Sequence, residues 1–396
     1  MKTEKIFFMD IMTNIKTKKD QKSFMNILLL DGGLQGLSCG ASLYKYHKVS
    51  IVSDELACRC SKFFTKVYTD VKVDKSLYEL LEREQFDVLI PVSDMSVPFV
   101  SKNKDYIEAQ YGVKCAVPAY EQVYQVEDKG RFMTFCKENN LPHPKTELLT
   151  YQSIEQAATK VGFPALIKPD FSVGARGITR VDSLKELKIT FPLINKNFGN
   201  CTLQELIENK EFYYNVMLYR DKQGRFLGHT ILKIVRMYPV AAGSSSYGIT
   251  VKNETLLDIC KECLNKLKWV GMADFDVLQR LDNGEYKIIE INPRVPASLR
   301  AAAISGVNFP EIVVHDALGF PIPQYQYNPG KALRYLGLDI MWFLKSSNRF
   351  KHLFEWLDFI RKDQYYQDIY ACDPSTWWTW LAEGVGKIGN RNKKLR

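Results

Sequence analysis

The sequence predicts a protein of mixed α/β and α+β class, and three observations carry that prediction. Over residues 25–115 strand-like and helix-like segments alternate, the pattern of a parallel sheet with crossover helices. From about Cys115 the texture changes to a charged amphipathic stretch, then to short strands and helices separated by Gly, Pro and Asn turns. Within that second unit the segment Glu285-Tyr-Lys-Ile-Ile-Glu-Ile-Asn-Pro-Arg294 places Glu290, Asn292 and Arg294 at alternate positions. A strand sends alternate side chains to one face, so a carboxylate, an amide and a guanidinium share a polar side while Ile289, Ile291 and Pro293 can face a core.

Taken in order, residues 1–24 read as a disordered extension, without the apolar stretch of a signal peptide or a membrane span. Asn26 to Leu30 is a compact apolar strand. Asp31-Gly-Gly-Leu-Gln-Gly36 turns the chain into a helix over Leu37 to Tyr46. The turn is similar to a dinucleotide-binding fingerprint, but Asp31 stands where the first glycine belongs, and a tight strand-to-helix turn is the preferred reading. Strands Val49–Ser53 and Phe86–Pro91 follow, with a helix over Ser76 to Glu84 between them. The amphipathic stretch Tyr120 to Asn140 stops at Asn139-Asn-Leu-Pro142. The second unit is expected over 116–325. Beyond Asn328-Pro-Gly330 the chain is rich in aromatics, with five of its six tryptophans at or after Trp342.

The formal charge of +9 is concentrated in the ends. Residues 1–24 hold six Lys against three acidic residues, and residues 387–396 hold five Lys or Arg and no acid. The body is therefore close to neutral, which argues against a nucleic-acid groove. Nine cysteines, an odd number without a framework, fit a reducing, cytoplasmic setting. Cys260-Lys-Glu-Cys263 has metal-like spacing, but it falls on the apolar face with Leu256, Leu264 and Leu267 and is read as core.

The chemistry-bearing residues surround the polar strand. Asp276, in the strand-like run Met272 to Leu278, returns to Glu290 and Asn292 through the turn Asp282-Asn-Gly284. Oxygen ligands so arranged suit Mg²⁺, which takes few protein carboxylates and fills its shell with water and phosphate. Ala165-Leu-Ile-Lys168-Pro is a buried-looking strand ending in a lysine that needs an anionic partner. Phe171-Ser-Val-Gly-Ala-Arg-Gly177 offers small residues that can fold over a phosphate chain, with Arg176 in reach. Lys129 adds a second cation. Leu203 to Ile207 reads as a short edge strand able to offer backbone groups to an adenine ring, and Glu211 can accept ribose hydroxyls.

Together these residues resemble the ATP-grasp superfamily, in its carbamoyl-phosphate-synthase-like and D-aspartate-ligase-like branches. The resemblance implies a Rossmann-like domain over 25–115, a two-lobed ATP-grasp fold over 116–325 with its small lobe at about 145–207, and a short helical, basic-tailed region over 326–396. It implies ATP bound by Lys129, Lys168, Ser172, Gly174, Arg176, Gly177, Glu205, Ile207 and Glu211, and Mg²⁺, or Mn²⁺, held by Asp276, Glu290 and Asn292. Arg294, Arg236, Lys168 and Arg176 are the implied catalytic group, Arg236 being chosen over Lys233. Ser298, Arg300, Ser93 and Asp94 are the candidate substrate contacts. The first metal position is Asp276, where the family carries Glu or Gln.

The activity implied is ATP-dependent ligation, in which a carboxylate becomes an acyl phosphate and an amine displaces the phosphate. The alternatives are a carboxylase that phosphorylates bicarbonate and a regulatory protein that holds ATP without turnover. The expected partners are a small carboxylate and an amine, with no nucleic acid and a possible second copy of the chain. Thr376-Trp-Trp-Thr-Trp380 and the basic tail have the composition of an interfacial membrane segment, against which packing of Trp377, Trp378 and Trp380 on the body or on a second subunit is preferred.

Overall fold

The computed structural model describes residues 24–172, 176–209, 212–240, 243–359, 361–379 and 382, which form three β-sheets. The first has strands β1 (Asn26–Leu30), β2 (Lys48–Val52), β3 (Lys66–Tyr68), β4 (Val88–Pro91) and β5 (Lys114–Cys115) in the order β3-β2-β1-β4-β5, every pair parallel. Both faces of β1 are covered: Ile27 and Leu29 enter one core, Leu28 and Leu30 another. This is why its sequence is a continuous apolar run instead of an alternation.

The first helix spans Gly33–Leu43, four residues ahead of the expected start. Asp31 takes a left-handed φ of 77°, which short polar side chains tolerate, so the chain turns into the helix at once. Helix and sheet then approach closely, since a Cβ on Gly36 would lie 2.8 Å from Ile51 Cδ1 of β2. The carboxyl ends of β1 and β4, where strand order reverses, place Asp31 beside Ser93.

The second sheet contains β6 (Thr146–Leu149), β7 (Ala165–Pro169), β8 (Thr179–Val181) and β9 (Cys201–Glu205), antiparallel in the order β6-β9-β7-β8. Strand β9 is therefore internal, not the edge expected from sequence. Strand β6 pairs along it from Thr146↔Gln204 to Leu149↔Cys201, across a separation of more than fifty residues that no local pattern reveals.

The third sheet is built from β10 (Tyr213–Arg220), β11 (Phe226–Tyr238), β12 (Ser244–Thr250), β13 (Gly271–Gln279), β14 (Tyr286–Asn292), β15 (Ala332–Arg334) and β16 (Gln364–Tyr366). Its order is β14-β13-β10-β11-β12-β15-β16, antiparallel except for β15 with β16. One face packs on the helix Glu254–Lys266, whose Cys260 and Cys263 are buried with Leu256, Leu264, Trp269 and Phe275.

The amphipathic stretch 120–140 is two helices, Tyr120–Glu127 and Lys129–Glu138, broken at Asp128, whose side chain caps the second by accepting from the Arg131 amide at 2.9 Å. The region expected to be a short helical tail also contributes β15 and β16. Beyond β16 the chain returns to the first sheet, where Tyr370 packs on Phe63 and Asp373 accepts from Ser61 Oγ at 2.6 Å. Trp378 is 63% exposed. Trp380 and the basic tail lie outside the described residues, none of whose helices is long and apolar enough to cross a membrane.

Candidate active site

A cleft of about 1470 Å³ lies along the third sheet, and Lys129, Lys168, Asp276, Glu290, Asn292 and Arg294 all line it. Its carboxylate end is a hairpin. Strands β13 and β14 pair Asp276 with Glu290 and Asp274 with Asn292, while Phe275, Val277, Ile288 and Ile291 are buried. The alternation read from sequence holds from Glu290 to Asn292 and sets four oxygen-bearing side chains on adjacent strands, but a bulge beside Asp276 and Val277 buries Ile288 in place of the expected Ile289, which lines the cleft. From β10, Asn215 stands opposite Asp276. Its Nδ2 donates to Asp274 Oδ1 at 2.6 Å and to Asp276 Oδ1 at 3.1 Å, and its Oδ1 accepts from Ser298 Oγ at 3.1 Å.

The charges here are unbalanced. Burial, and then the Glu290 charge beside it, push the Asp276 carboxyl up to about 7. Asp274 rises well above the usual range, chiefly through burial and then through Asp276. Glu290 resists burial and is held below the usual range by Lys129 and Lys168. Lys168, 4% exposed, falls to about 8 because burial outweighs the pull of Glu290.

Lys168 donates to Gln204 Oε1 at 3.2 Å, and Lys129, the first residue of its helix, donates to the Ser172 carbonyl at 2.8 Å. The strand pattern and the helix start therefore bring both predicted lysines into one cleft, within electrostatic reach of Glu290. Gly177 has φ 75°, and a Cβ there would meet Pro169 Cγ at 2.8 Å. Arg176 is exposed and outside the cleft wall, while Gly174 and Glu211 lie outside the described residues. Glu205 and Ile207 line the cleft; the Glu205 carboxylate accepts from the Lys145 amide at 2.9 Å and from Arg280 Nη1 at 3.3 Å.

The first sheet reaches in as well. Asp94 lines the cleft and pairs with Arg294 Nε, and Ser93 donates to Asp31. Arg294, held charged by Asp94 in spite of burial, also donates to Asn292 Oδ1 at 3.4 Å. Ser298 sits at the carboxylate end. Arg300 does not, which corrects the expectation of an acceptor contact: its guanidinium donates to the Tyr366 and Ile369 carbonyls and lies 3.8 Å from the Tyr370 ring, so it anchors the C-terminal segment. Arg236 lines the cleft but is bound by Asp339 through two hydrogen bonds, and Lys233, the option set aside, lies over the Phe212 ring. Asp274 and Asn215 were missed. Asp274 had a signal, since Asp274-Phe-Asp276 repeats the alternation of Glu290-Ile-Asn292; Asn215 had none.

Comparison with known proteins gives this arrangement its context. A family model described as ATP-grasp in the biosynthetic pathway with Ter operon matches residues 221–337. The carbamoyl phosphate synthase large chain of Methanothermobacter thermautotrophicus is 24% identical over 277 residues, covering 66% of this chain and 26% of that one. The chain thus spans about a quarter of the length of the curated relatives it matches. The biotin carboxylase domain of the 2-oxoglutarate carboxylase of Hydrogenobacter thermophilus, solved with MgADP, ADP and bicarbonate, superposes with a TM-score of 0.65 at 16% identity, over 78% of this chain and 73% of that one. The chain has the ATP-grasp fold. The N5-carboxyaminoimidazole synthetase of Staphylococcus aureus, with a TM-score of 0.62 and 17% identity, covers 86% of this chain and 90% of its own. The ATP-grasp resemblance read from the lysines, the small-residue loop and the Glu-Ile-Asn-Pro-Arg strand is borne out, and the sequence relationship runs to carbamoyl phosphate synthase.

Proposed function

We propose that the protein is an ATP- and Mg²⁺-dependent ligase that activates a carboxylate as an acyl phosphate for attack by an amine, releasing ADP and phosphate. The observation that carries this reading is the Asp276–Glu290 pair, with Asn292, set against Lys168 and Lys129 in one cleft. Two carboxyl groups in contact, one of them pushed up to about 7, make a site that a divalent cation relieves. Among the described residues no three His, Cys, Asp or Glu side chains form a closed metal cage, and an open set of two carboxylates and an amide fits a cation that shares its shell with nucleotide phosphates. When bound, Mg²⁺ supplies positive charge against the phosphate chain; Mn²⁺ suits the same oxygen donors.

The protein's own residues then position and neutralise. Lys129 and Lys168 hold the phosphates, and the loop carrying Ser172, Gly174, Arg176 and Gly177 covers them and excludes water. The segment from Glu205 to Ile207 takes the adenine, and Glu211 takes the ribose. Arg294 steadies the acceptor carboxylate or the phosphoryl group moving to it, with Ser298 beside the carboxylates and Arg236 farther along the cleft, both on the acceptor side. A carboxylate oxygen attacks the γ-phosphorus as ADP leaves; the amine then attacks the acyl carbon, phosphate departs, and the amine loses its proton. Such transfer rests on positioning and charge, not on a side-chain nucleophile. We place the protein in the cytoplasm, acting on small molecules, alone or as a homodimer.

A carboxylase that phosphorylates bicarbonate is the second reading, favoured by the likeness to a biotin carboxylase domain solved with bicarbonate. A coupled ADP-release assay with acids and amines supplied in pairs tests both. Dependence on both partners is the expected result, with turnover down on the order of 10³-fold or more in a folded Glu290→Ala protein. Bicarbonate-driven ADP release without an amine selects the carboxylase. Tight ATP binding with no ADP from any pair replaces both readings with a regulatory ATP-binding role.

A further inference from the structure

Away from the carboxylates, on the β11-β12-β15 side of the third sheet, the C-terminal segment lines the cleft. Pairing in the third sheet sets Arg236 of β11 against Tyr247 of β12, and Tyr247 against Arg334 of β15, so the three stand in one row on one face. Arg236 and Tyr247 line the cleft. Asp339, from the helix Leu336–Lys345, accepts from Arg236 Nε at 2.7 Å and Nη2 at 3.0 Å and lies 3.3 Å from Arg334 Nε.

One carboxylate thus serves two guanidinium groups, and all three are sealed from water, Arg236 at 4% exposure and Arg334 and Asp339 at 0%. The buried set retains one uncompensated positive charge. Arg334 lies 4.5 Å from the Phe359 ring, yet none of its three nitrogens makes a hydrogen bond among the described residues. A second group is unfilled between the two ends of the cleft, tied by its backbone to Arg334 and by its side chain to Ala297, next to Ser298. Gln367 lines the cleft, its Oε1 is buried without a partner, its amide nitrogen donates to the Arg334 carbonyl at 2.7 Å, and its Nε2 donates to the Ala297 carbonyl. Glu355, Asp358 and Arg361 border the arginine end from exposed positions, where water screens them.

We propose that this end of the cleft is a second anion subsite, which receives a carboxylate or phosphate carried by a substrate away from its reacting group. Arg236 makes the contact, Arg334 supplies the excess charge as a positioning residue, and Gln367 Oε1 accepts an N–H or O–H of the same molecule. Calling that molecule a substrate rests on the ligase reading; binding of the anion does not. A buried guanidinium without an acceptor is costly, and an anion at this site answers that cost, since the other buried carboxylate of this segment, Asp368, acts on Arg300 and the Leu336 backbone and not on Arg334. The C-terminal segment thereby becomes a specificity element, selecting substrates with a remote negative charge.

The test is isothermal titration calorimetry of the full chain carrying Lys168→Ala, which disables the nucleotide-phosphate site. Inorganic phosphate and succinate are titrated separately, with succinamide as the uncharged control. Saturable binding of one anion, absent for succinamide, is expected, and which anion binds separates a phosphate ligand from a carboxylate. Adding Arg334→Gln weakens it about tenfold or more, and adding Asp339→Asn, which removes the internal competitor, tightens it by about tenfold. No saturable binding of either anion overturns the proposal, as does unchanged affinity in a folded Arg334→Gln protein. If that variant does not fold, Asp339→Asn decides, and affinity no tighter than the parent overturns it. None of these measurements needs turnover, so a failed ADP-release assay would sink the ligase reading alone.

Discussion

At one end of the cleft Asp274, Asp276, Glu290 and Asn292 stand on two strands joined by a hairpin, and the Asn292–Asp274 contact spans 18 positions; at the other, the Arg236–Asp339 pair spans 103 positions and needs a strand, a loop and a helix to meet. Both ends are buried and charged. The first has an excess of carboxyl groups, the second an excess of guanidinium. A hairpin can hold like charges close because its ladder of backbone bonds fixes the spacing whatever the side chains prefer, while the far end depends on the C-terminal helix for its one counter-ion. The difference teaches that the local end can be built to hold an ion as part of the sheet, and that the distant end is an addition whose chemistry depends on what the chain does after β15.

The comparison breaks first at Lys168. If the carboxylate end works as a nucleotide-metal site, Lys168→Ala lowers kcat/KM for ATP on the order of 10²–10³-fold, because a buried cation aimed at developing charge has no substitute in water. The fold should persist, since the lysine makes a single hydrogen bond to Gln204 and is itself disfavoured by burial. Steady-state ADP release and a thermal melt check this together. A variant that melts as the parent does and turns over as fast would remove the lysine from the chemistry.

Asp274 sharpens the comparison with a smaller effect. It is 2% exposed and held by Asn215, which also contacts Asp276 and Ser298. A carboxylate behind a ligand orients it, and Asp274→Asn should raise the Mg²⁺ concentration for half-maximal activity roughly 10- to 100-fold, with kcat at saturating Mg²⁺ changed much less. A magnesium titration of activity reads the outcome directly. Loss of kcat with no shift along the magnesium axis would place Asp274 with the substrate instead of with the ion.

Much of this end was legible because its signals are periodic or local. The alternation of Glu290, Asn292 and Arg294, the apolar strand ending at Lys168 and the helix start at Lys129 each sit within a few residues of the pattern that reveals them. Asn215 has no such pattern, for its role exists only through the pairing of β10 with β13. The same reason hid the internal position of β9 and turned Arg300 from a cleft residue into an anchor for Tyr366 and Ile369. Arg236 was chosen from its strand, but its partner Asp339 lies in a segment read as short, helical and aromatic-rich, in which no carboxylate was singled out. The proline- and glycine-bounded turns of the first sheet were readable; the helix start at Gly33 was not, because Asp31 accepts a left-handed conformation usually left to glycine or asparagine.

The smallest effect separates the two ends by pH. Asp276 is raised from 3.8 to about 7 by burial and by Glu290, so the folded protein favours its protonated form. Glu127, raised to about 7 chiefly by burial and then by Asp94, has the same sign. A raised folded value means that stability from this source is complete below the unfolded value and is lost as pH climbs through the folded one. Without metal, stability to urea should therefore fall between about pH 4 and pH 7, with a slope of at most about 1.4 kcal/mol per pH unit for each such group. Saturating Mg²⁺ should flatten that slope, since a cation takes the place of the shared proton. In the C-terminal segment Asp368, raised to about 6 chiefly by burial, has the same sign, and Mg²⁺ should leave its share of the slope unchanged. Parallel curves with and without Mg²⁺ would mean that Asp276 and Glu290 do not hold the ion.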